Sequence, residues 1–96
     1  MIIHLLSEAG EFCSSRGDPS IPKLRKIVKD ALARGEKITV SRQGTKGLTV
    51  SFLDEWLGNL IIEFGLERIE ANVLFDPPLE PFLERQLDRS KRLRSQ

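Results

Sequence analysis

The sequence predicts an α/β domain with the element order β-α-β-α-β-α and a mostly parallel sheet. Two observations carry this prediction. Segments in which apolar side chains recur at three- and four-residue spacing alternate with short apolar segments, and the connections between the predicted strands are long enough for helical crossovers. The 96 residues, of which 40% are hydrophobic and 30% charged, suit one folded core. We therefore expect a single domain over residues 1–88 and a basic tail over residues 89–96.

Three segments have the composition of β-strands. An aliphatic run predicts the first strand over residues 2–7, and a β-branched run predicts the second over residues 37–41. Apolar side chains at alternate positions predict the third strand over residues 68–76. Residues 11–20 have the composition of turns and caps, which predicts an exposed loop. The start of this loop, residues 11–14, could still add a strand to the sheet.

Three helices are predicted, and two of them lie on either side of a central one. The first is predicted from Ser20, a residue type favoured at N-caps, to the stop at Gly35, and its basic residues fall on the outer surface. Prolines at positions 77, 78 and 81 end the third strand, and a terminal helix is predicted to begin between residues 77 and 81. The basic residues at its end are interpreted as a solvated helix terminus, with weak nucleic-acid contact as the alternative.

The central helix has the sharpest signals. Its hydroxyl cap is predicted at Ser51, and Asp54 is expected to return a bond to the cap in an approximate capping box. Apolar side chains then mark one continuous face up to the stop at Gly65. Trp56 lies on that face and is interpreted as a core residue, with an interface hot spot as the alternative. Asp54 and Glu55 are interpreted as charges that favour the helix dipole rather than as an acid/base pair.

Few residues have a pattern that suits catalysis. His4 is the only histidine and is interpreted as structural, because a metal site or a catalytic triad needs partners that the sequence does not supply. Cys13 is the only cysteine and lies near Arg16, which would lower the pKa of the thiol, whereas a small packed thiol is the preferred interpretation. Gly44 and Gly47 offer backbone N–H groups to an anion, yet the P-loop ending is missing. We expect no enzyme activity, metal or cofactor.

The charge and hydropathy of the chain bear on its partners and location. A formal net charge of +1 creates no field that favours nucleic acid or an anionic membrane. The apolar run over residues 1–6 is too short for a signal peptide, and no stretch approaches the roughly 20 apolar residues of a membrane helix. The expectation is a cytoplasmic protein whose partner is neither nucleic acid nor membrane.

One central stretch of the chain resembles a known family. It reads GEKITVSRQGTKGLTVSFLDEWLGNLIIEFG from Gly35 to Gly65 and is similar to the small bacterial STAS-like domains, which are related to the anti-sigma-factor antagonists. The similarity rests on a strand followed by a Gly-containing loop, on the helix start at residues 49–55, and on the Phe-Gly-Leu-Glu sequence at residues 64–67. It extends more weakly from the first strand to about Leu87.

The resemblance also implies a mode of regulation. In the antagonists, a kinase phosphorylates a serine in an Asp-Ser-Ser-Gly turn that opens this helix. Val50 has the position of that serine here, and Thr49 and Ser51 are the displaced candidates. Ser51 as a plain N-cap is the alternative. Ser41 stands where the family commonly has an aspartate.

The function implied by the resemblance is that of a non-catalytic regulatory module. It would present the loop 44–51 and the face of the central helix to a protein partner, such as a kinase-like ATPase or a sigma-factor regulator. The predicted partner-binding or regulatory residues are Arg16, Gly47, Thr49, Val50, Ser51, Asp54 and Glu55. A small inhibitor or accessory protein, for example one encoded by a mobile element, is the alternative, because fold does not determine function. A homodimer is a further possibility, and an enzyme is the least favoured interpretation.

Overall fold

Strands and helices alternate along residues 1–94, the part of the chain that the computed structural model describes. In chain order the elements are β1 (Ile2–His4), α1 (Leu5–Ala9), β2 (Phe12–Cys13), α2 (Ile21–Ala33), β3 (Ile38–Ser41), β4 (Gly47–Leu48), α3 (Val50–Leu53), a π-helical turn (Asp54–Gly58), α4 (Asn59–Phe64), α5 (Leu66–Asn72), β5 (Val73–Asp76) and α6 (Pro81–Arg94). Helix α3, the π turn and α4 follow one another directly and are together called helix two. The predicted α/β class is confirmed.

The main sheet is parallel and has three strands in the spatial order β1-β3-β5. Ile3 pairs with Val40, and Val40 pairs with Phe75, so β3 is the central strand. Both crossovers move in the same direction across the sheet, and right-handed crossovers of this kind place their helices on one face. Ile3 and Val40 are buried beneath that face. The mostly parallel sheet expected from the sequence is confirmed.

The opposite face of this sheet is open. Ile2 and Leu74 lie on either side of Thr39 in one cross-strand row, and their exposed fractions are 61% and 56%. A parallel sheet is usually covered on both faces. Among the described residues, the core therefore lies on the helical side of the sheet alone.

Helix α2 confirms the first predicted helix. Its buried stripe has the predicted spacing and consists of Ile21, Leu24, Val28, Ala31 and Leu32. Ser20 occupies the N-cap position, but its side chain makes no capping bond. Its hydroxyl and its backbone N–H instead donate to the Asp18 carboxylate, at 2.7 and 2.9 Å. The helix start is thus held by a turn that precedes it.

Helix two supplies most of the core. Trp56 is fully buried and meets the rings of Phe52 and Phe75 edge-on, with centroid distances of 6.3 and 6.4 Å. Its interpretation as a core residue is confirmed. The rest of the predicted apolar face is also buried or packs against the core and consists of Leu53, Leu57, Leu60, Ile61 and Phe64.

Two predicted strands were too long. β1 ends at His4, and residues 5–9 form α1 because a short apolar run suits a strand or a helical turn equally well. The segment predicted as a strand over residues 68–76 begins with the end of α5, and only residues 73–76 are a strand. Leu, Glu, Arg and Ala are strong helix formers, and their preference overrides the alternating pattern in α5.

The predicted exposed loop over residues 11–20 is partly wrong. Phe12 and Cys13 form β2, which pairs in parallel with β4 in a separate two-stranded sheet. Cys13 is fully buried in the main core cluster. The possibility that residues 11–14 add a strand to the main sheet is wrong, because β2 belongs to the separate sheet.

Arg42 positions the start of the terminal helix. Its guanidinium donates to the carbonyl oxygen of Pro78 at 2.6 Å and to both carboxylate oxygens of Glu80 at 2.7 and 2.9 Å. The hydrogen bond from Arg42 lowers the pKa of the Glu80 carboxyl below its ordinary value. Helix α6 then begins at Pro81, inside the predicted interval.

Helix α6 continues across the predicted boundary between domain and tail. It extends to Arg94, while residues 95–96 of the predicted basic tail lie outside the described residues. The division into residues 1–88 and 89–96 stays a prediction. Within residues 1–94, no helix is both long enough and apolar enough to cross a membrane.

Gly65 allows a test of this arrangement, because it joins helix two to α5 with a φ of +91°. A Cβ there would meet no atom within 4 Å, so the substitution Gly65→Ala introduces backbone strain alone. We expect it to lower the free energy of unfolding in urea by about 1–3 kcal/mol, because essentially only glycine adopts a φ of +91° with a ψ of 149°.

Gly17→Ala is the matched control. Gly17 has no positive φ, and a Cβ would make an ordinary 3.7 Å contact with Ser15. Its effect should stay below about 0.5 kcal/mol. Equal losses in the two variants would contradict the assigned backbone conformation at Gly65.

Candidate functional site

Two loops are joined beside the N-terminus of helix two. The backbone N–H of Gly47 donates to the carbonyl of Glu11 at 3.0 Å, and that of Thr49 donates to the carbonyl of Cys13 at 3.1 Å. The Thr49 hydroxyl also donates to the carbonyl of Ser14 at 3.2 Å. These bonds continue the β2–β4 pairing up to the helix start, so the loop ahead of helix two has a defined conformation.

Thr49, and not Ser51, caps helix two. The backbone N–H of Phe52 donates to the Thr49 hydroxyl oxygen at 3.3 Å, and Thr49 has the extended backbone of an N-cap. The predicted cap at Ser51 is wrong, because pairing with the neighbouring loop holds Thr49 in the extended conformation that a cap requires. Ser51 is half-buried in the first turn, and its hydroxyl has no hydrogen bond to residues 1–94.

The predicted capping box is replaced by an ion-pair cluster. The buried Asp54 carboxylate accepts a 2.8 Å hydrogen bond from the Arg16 guanidinium, whose side chain is 52% exposed. Glu55 lies 3.8 Å from Arg16 and 3.6 Å from Arg25. Two carboxylates and two guanidinium groups therefore balance one another at the first turns of helix two. Arg16 ties the loop after β2 to the helix.

Two exposed apolar side chains pack against the glycines of this site. The sequence did not indicate them as site residues. Phe12 is 65% exposed and Leu6 is 40% exposed. A Cβ on Gly47 would lie 3.1 Å from the Phe12 ring, and a Cβ on Gly44 would lie 2.6 Å from Leu6. The two glycines leave room for these side chains. The presence of glycine at both positions is therefore explained without a bound anion. The available signal was one aromatic residue in an otherwise polar segment.

The Cys13 thiol is not activated by its surroundings. Burial raises the pKa of the thiol above its ordinary value, and the Asp18 carboxylate raises it further. The sulfur donates to the carbonyl of Gly10 at 3.7 Å. The alternative in which Arg16 lowers the pKa of the thiol is wrong, because the Arg16 guanidinium binds Asp54 instead. The preferred interpretation of Cys13 as a small packed thiol is confirmed by its burial in the core. A thiol with a raised pKa carries less of the nucleophilic thiolate at neutral pH.

One row across the sheet brings together residue types that are common in catalysis. Ser41 pairs with His4 on one side and with Asp76 on the other, at the carboxyl ends of the three strands. The order is wrong for a triad, because Ser41 separates the histidine from the carboxylate that would orient it. Within residues 1–94, no group of three or more His, Cys, Asp or Glu side chains could hold a metal ion.

The predicted site residues occupy four kinds of position. Gly47 and Thr49 belong to the paired loop, and Asp54 and Glu55 belong to the ion-pair cluster with Arg16. Val50, the first residue of α3, is half-buried and packs against the core. Ser51 lies in the first turn of α3. Of the two candidate hydroxyls, that of Thr49 makes two hydrogen bonds, whereas that of Ser51 makes none among the described residues.

Comparison with known protein families identifies one match. A family described as a STAS-like domain of unknown function (DUF4325) matches residues 22–75. The match covers more than half of the chain and includes the helix-two N-terminus, whereas Phe12 and Arg16 lie outside it. No curated protein and no solved structure matches the chain.

The assignment of the cap to Thr49 predicts which hydroxyl matters for folding. Thr49→Val keeps the shape of the side chain but removes the acceptor for the Phe52 N–H and the donor to the Ser14 carbonyl, so we expect a loss of about 1–2 kcal/mol in the free energy of unfolding. Ser51→Ala should change it by less than about 0.5 kcal/mol. Urea unfolding measures both. A larger loss for Ser51→Ala than for Thr49→Val would show that Ser51 is the N-cap instead.

Proposed function

Because the chain belongs to the STAS-like domain family, we propose that it is a non-catalytic regulatory module that binds a protein partner. The proposed contact surface lies around the N-terminus of helix two and is called the helix-two surface. It consists of Phe12, Arg16, Gly47, Thr49, Val50, Ser51, Asp54 and Glu55. The family resemblance favours a kinase-like ATPase or a sigma-factor regulator as the partner, and the cytoplasm is the proposed location.

The observation that carries this proposal is the exposure of Phe12 on a strand that is fixed by its pairing with β4. Phe12 is 65% exposed although its strand is paired with β4, and its ring rests against Gly47. Burying such a ring in a complex removes apolar surface from water, and it costs little ordering entropy because its strand is already fixed. Aromatic and arginine side chains dominate binding energies in interfaces, and the half-exposed Arg16 lies in the following loop.

Ser51 is the proposed point of regulation. Val50 has no hydroxyl, and the Thr49 hydroxyl already serves two hydrogen bonds, whereas the Ser51 hydroxyl has none among the described residues. A phosphate at Ser51 would add a charge of about −1.5 to −2, three and four residues before Asp54 and Glu55. Like charges at these spacings repel across one helix face. We infer that phosphorylation disturbs the ion-pair cluster and weakens partner binding.

Affinity capture with matched variants tests the surface and its regulation together. Tagged wild-type protein, Phe12→Ser and Leu74→Ser are used on a lysate of the native cell, and captured proteins are quantified by mass spectrometry. Leu74 is the control because it is similarly exposed, at 56%, but lies on the open sheet face. We expect Phe12→Ser to reduce recovery of one specific partner by about tenfold, as the loss of a binding hot spot would.

The charge at Ser51 is tested in the same experiment. Ser51→Asp and Ser51→Asn have side chains of nearly equal size, so they differ in charge alone. Loss of the partner with Ser51→Asp but not with Ser51→Asn supports regulation by phosphate, provided that circular dichroism shows equal helix content. A partner list that is unchanged by Phe12→Ser and Ser51→Asp would overturn the proposal.

A further inference from the structure

Helix α6 presents a second surface that the proposed function does not use. Leu83 and Leu87 are buried in the core, and Phe82 is 65% exposed. Exposed arginines follow Phe82 at spacings of three, four and three residues, which place all four side chains on one face of the helix. They are Arg85, Arg89 and Arg92. This set of four residues is called the arginine face.

The charges of the arginine face differ from those of the other elements. Outside α6, eight basic side chains lie within 3.6 Å of a carboxylate, for example Lys23 beside Glu8 and Lys26 beside Asp30. Among the residues whose side chains the structure describes, Arg85 and Arg89 form no ion pair and no side-chain hydrogen bond. The charges of Arg85 and Arg89 are therefore left without the neutralisation that most basic side chains outside α6 receive.

Helix stability does not account for Arg85 and Arg89. Like charges four residues apart, as at Arg85 and Arg89, weaken a helix. The helix dipole favours cations only in the last turn, and Arg85 is the fifth residue of the 14-residue helix. A partner that supplies negative charge would remove this repulsion.

The positive charge is concentrated in α6. This helix contains five basic and two acidic residues, a charge of +3, while the remaining ten basic and twelve acidic residues give −2 and the whole chain has +1. The two acidic residues, Glu84 and Asp88, each directly precede an arginine of the face. Asp88 also lines a shallow hollow of about 300 Å³ together with the three arginines. The local pattern is thus basic with two interspersed carboxylates.

We propose that the arginine face binds an acidic, amphipathic helical segment of a protein partner. Arginine pairs with carboxylates through two parallel hydrogen bonds, and carboxylates at matching three- and four-residue spacings would meet Arg85, Arg89 and Arg92 in turn. An apolar residue of the segment would cover Phe82. The face extends about 15 Å along the helix, which suits three turns of a second helix.

A protein segment fits this pattern better than a nucleic acid does. A continuous phosphate strand along the face would pass the carboxylates of Glu84 and Asp88, and the net negative charge on the rest of the chain opposes long-range attraction. A protein segment can place neutral or basic residues opposite those two carboxylates. The proposal concerns residues outside the helix-two surface, so either can fail without the other.

A designed peptide tests the proposal directly. The probe is a helical peptide with glutamates at positions i, i+4 and i+7 and one leucine at i−3, titrated into ¹⁵N-labelled full-length protein and followed by NMR. We expect the shifts to concentrate in residues 82–92. The double variant Arg85→Glu/Arg89→Glu should weaken binding by about tenfold or more.

The matched control is Lys23→Glu/Lys26→Glu on α2. It changes the net charge by the same amount, and both lysines are exposed. Its affinity for the peptide should stay within about threefold of the wild type, because screening limits the reach of exposed charges. A second peptide with lysines in place of the glutamates should bind Arg85→Glu/Arg89→Glu better than the wild type. Circular dichroism confirms that each variant is folded.

Three outcomes would overturn the proposal. One is the absence of shifts in α6 up to millimolar peptide. Another is an equal loss of affinity in the arginine and lysine double variants, which would indicate general attraction. The third is tighter, arginine-dependent binding of a 12-nucleotide single-stranded DNA than of the peptide, which would assign the face to nucleic acid.

Discussion

The burial of one tryptophan holds helix two against the sheet. Trp56 is fully buried and contacts Phe75 of β5 with a centroid distance of 6.4 Å, so one side chain connects the helix to the strand. Its indole Nε1 has no hydrogen-bond partner among residues 1–94, so its contribution comes from apolar packing. Truncating a buried aromatic residue costs roughly 3–5 kcal/mol, a large share of the stability of a small domain.

This packing also shapes helix two itself. Residues 52–54 and 56–58 are all buried, so the buried surface extends around more of the helix than a single apolar stripe. This is because α2, α6 and Phe75 of the sheet all pack against this part of the helix. The π turn lies in this region, and the side-chain amide of Asn59 donates to the carbonyl of Glu55 at 3.0 Å. The N-terminus of the helix lies beside β2, the strand that carries Phe12. Helix packing, loop pairing and the candidate site are parts of one arrangement.

Some of this could be predicted from the sequence because it depends on local pattern. The stripes of α2 and helix two are strongly periodic, and Gly65 ends helix two as predicted. The family resemblance is also confirmed by the match to residues 22–75. Some element boundaries were missed because the local pattern was ambiguous, whereas features that depend on distant contacts left no local signal. A short apolar run did not distinguish β1 from α1, and the alternation in α5 imitated a strand.

The details of the site depend on such distant contacts. Thr49 and Ser51 are both residue types that cap helices, and pairing with the segment around Cys13 selects Thr49. The contact of Arg16 with Asp54 joins residues 38 positions apart, which no local pattern shows. The exposure of Phe12 could not be predicted from the sequence, because it depends on the β2–β4 pairing. Its partner, and regulation at Ser51, remain proposals.

The central claim is that the helix-two N-terminus is a surface formed before any partner binds. Amide hydrogen exchange of the free protein tests this claim most directly. The N–H groups of Gly47 and Thr49, which donate to Glu11 and Cys13, should be protected to a degree similar to the amides of β3. Exchange of these two amides at the rate of an unstructured chain, with β3 still protected, would contradict a preformed surface.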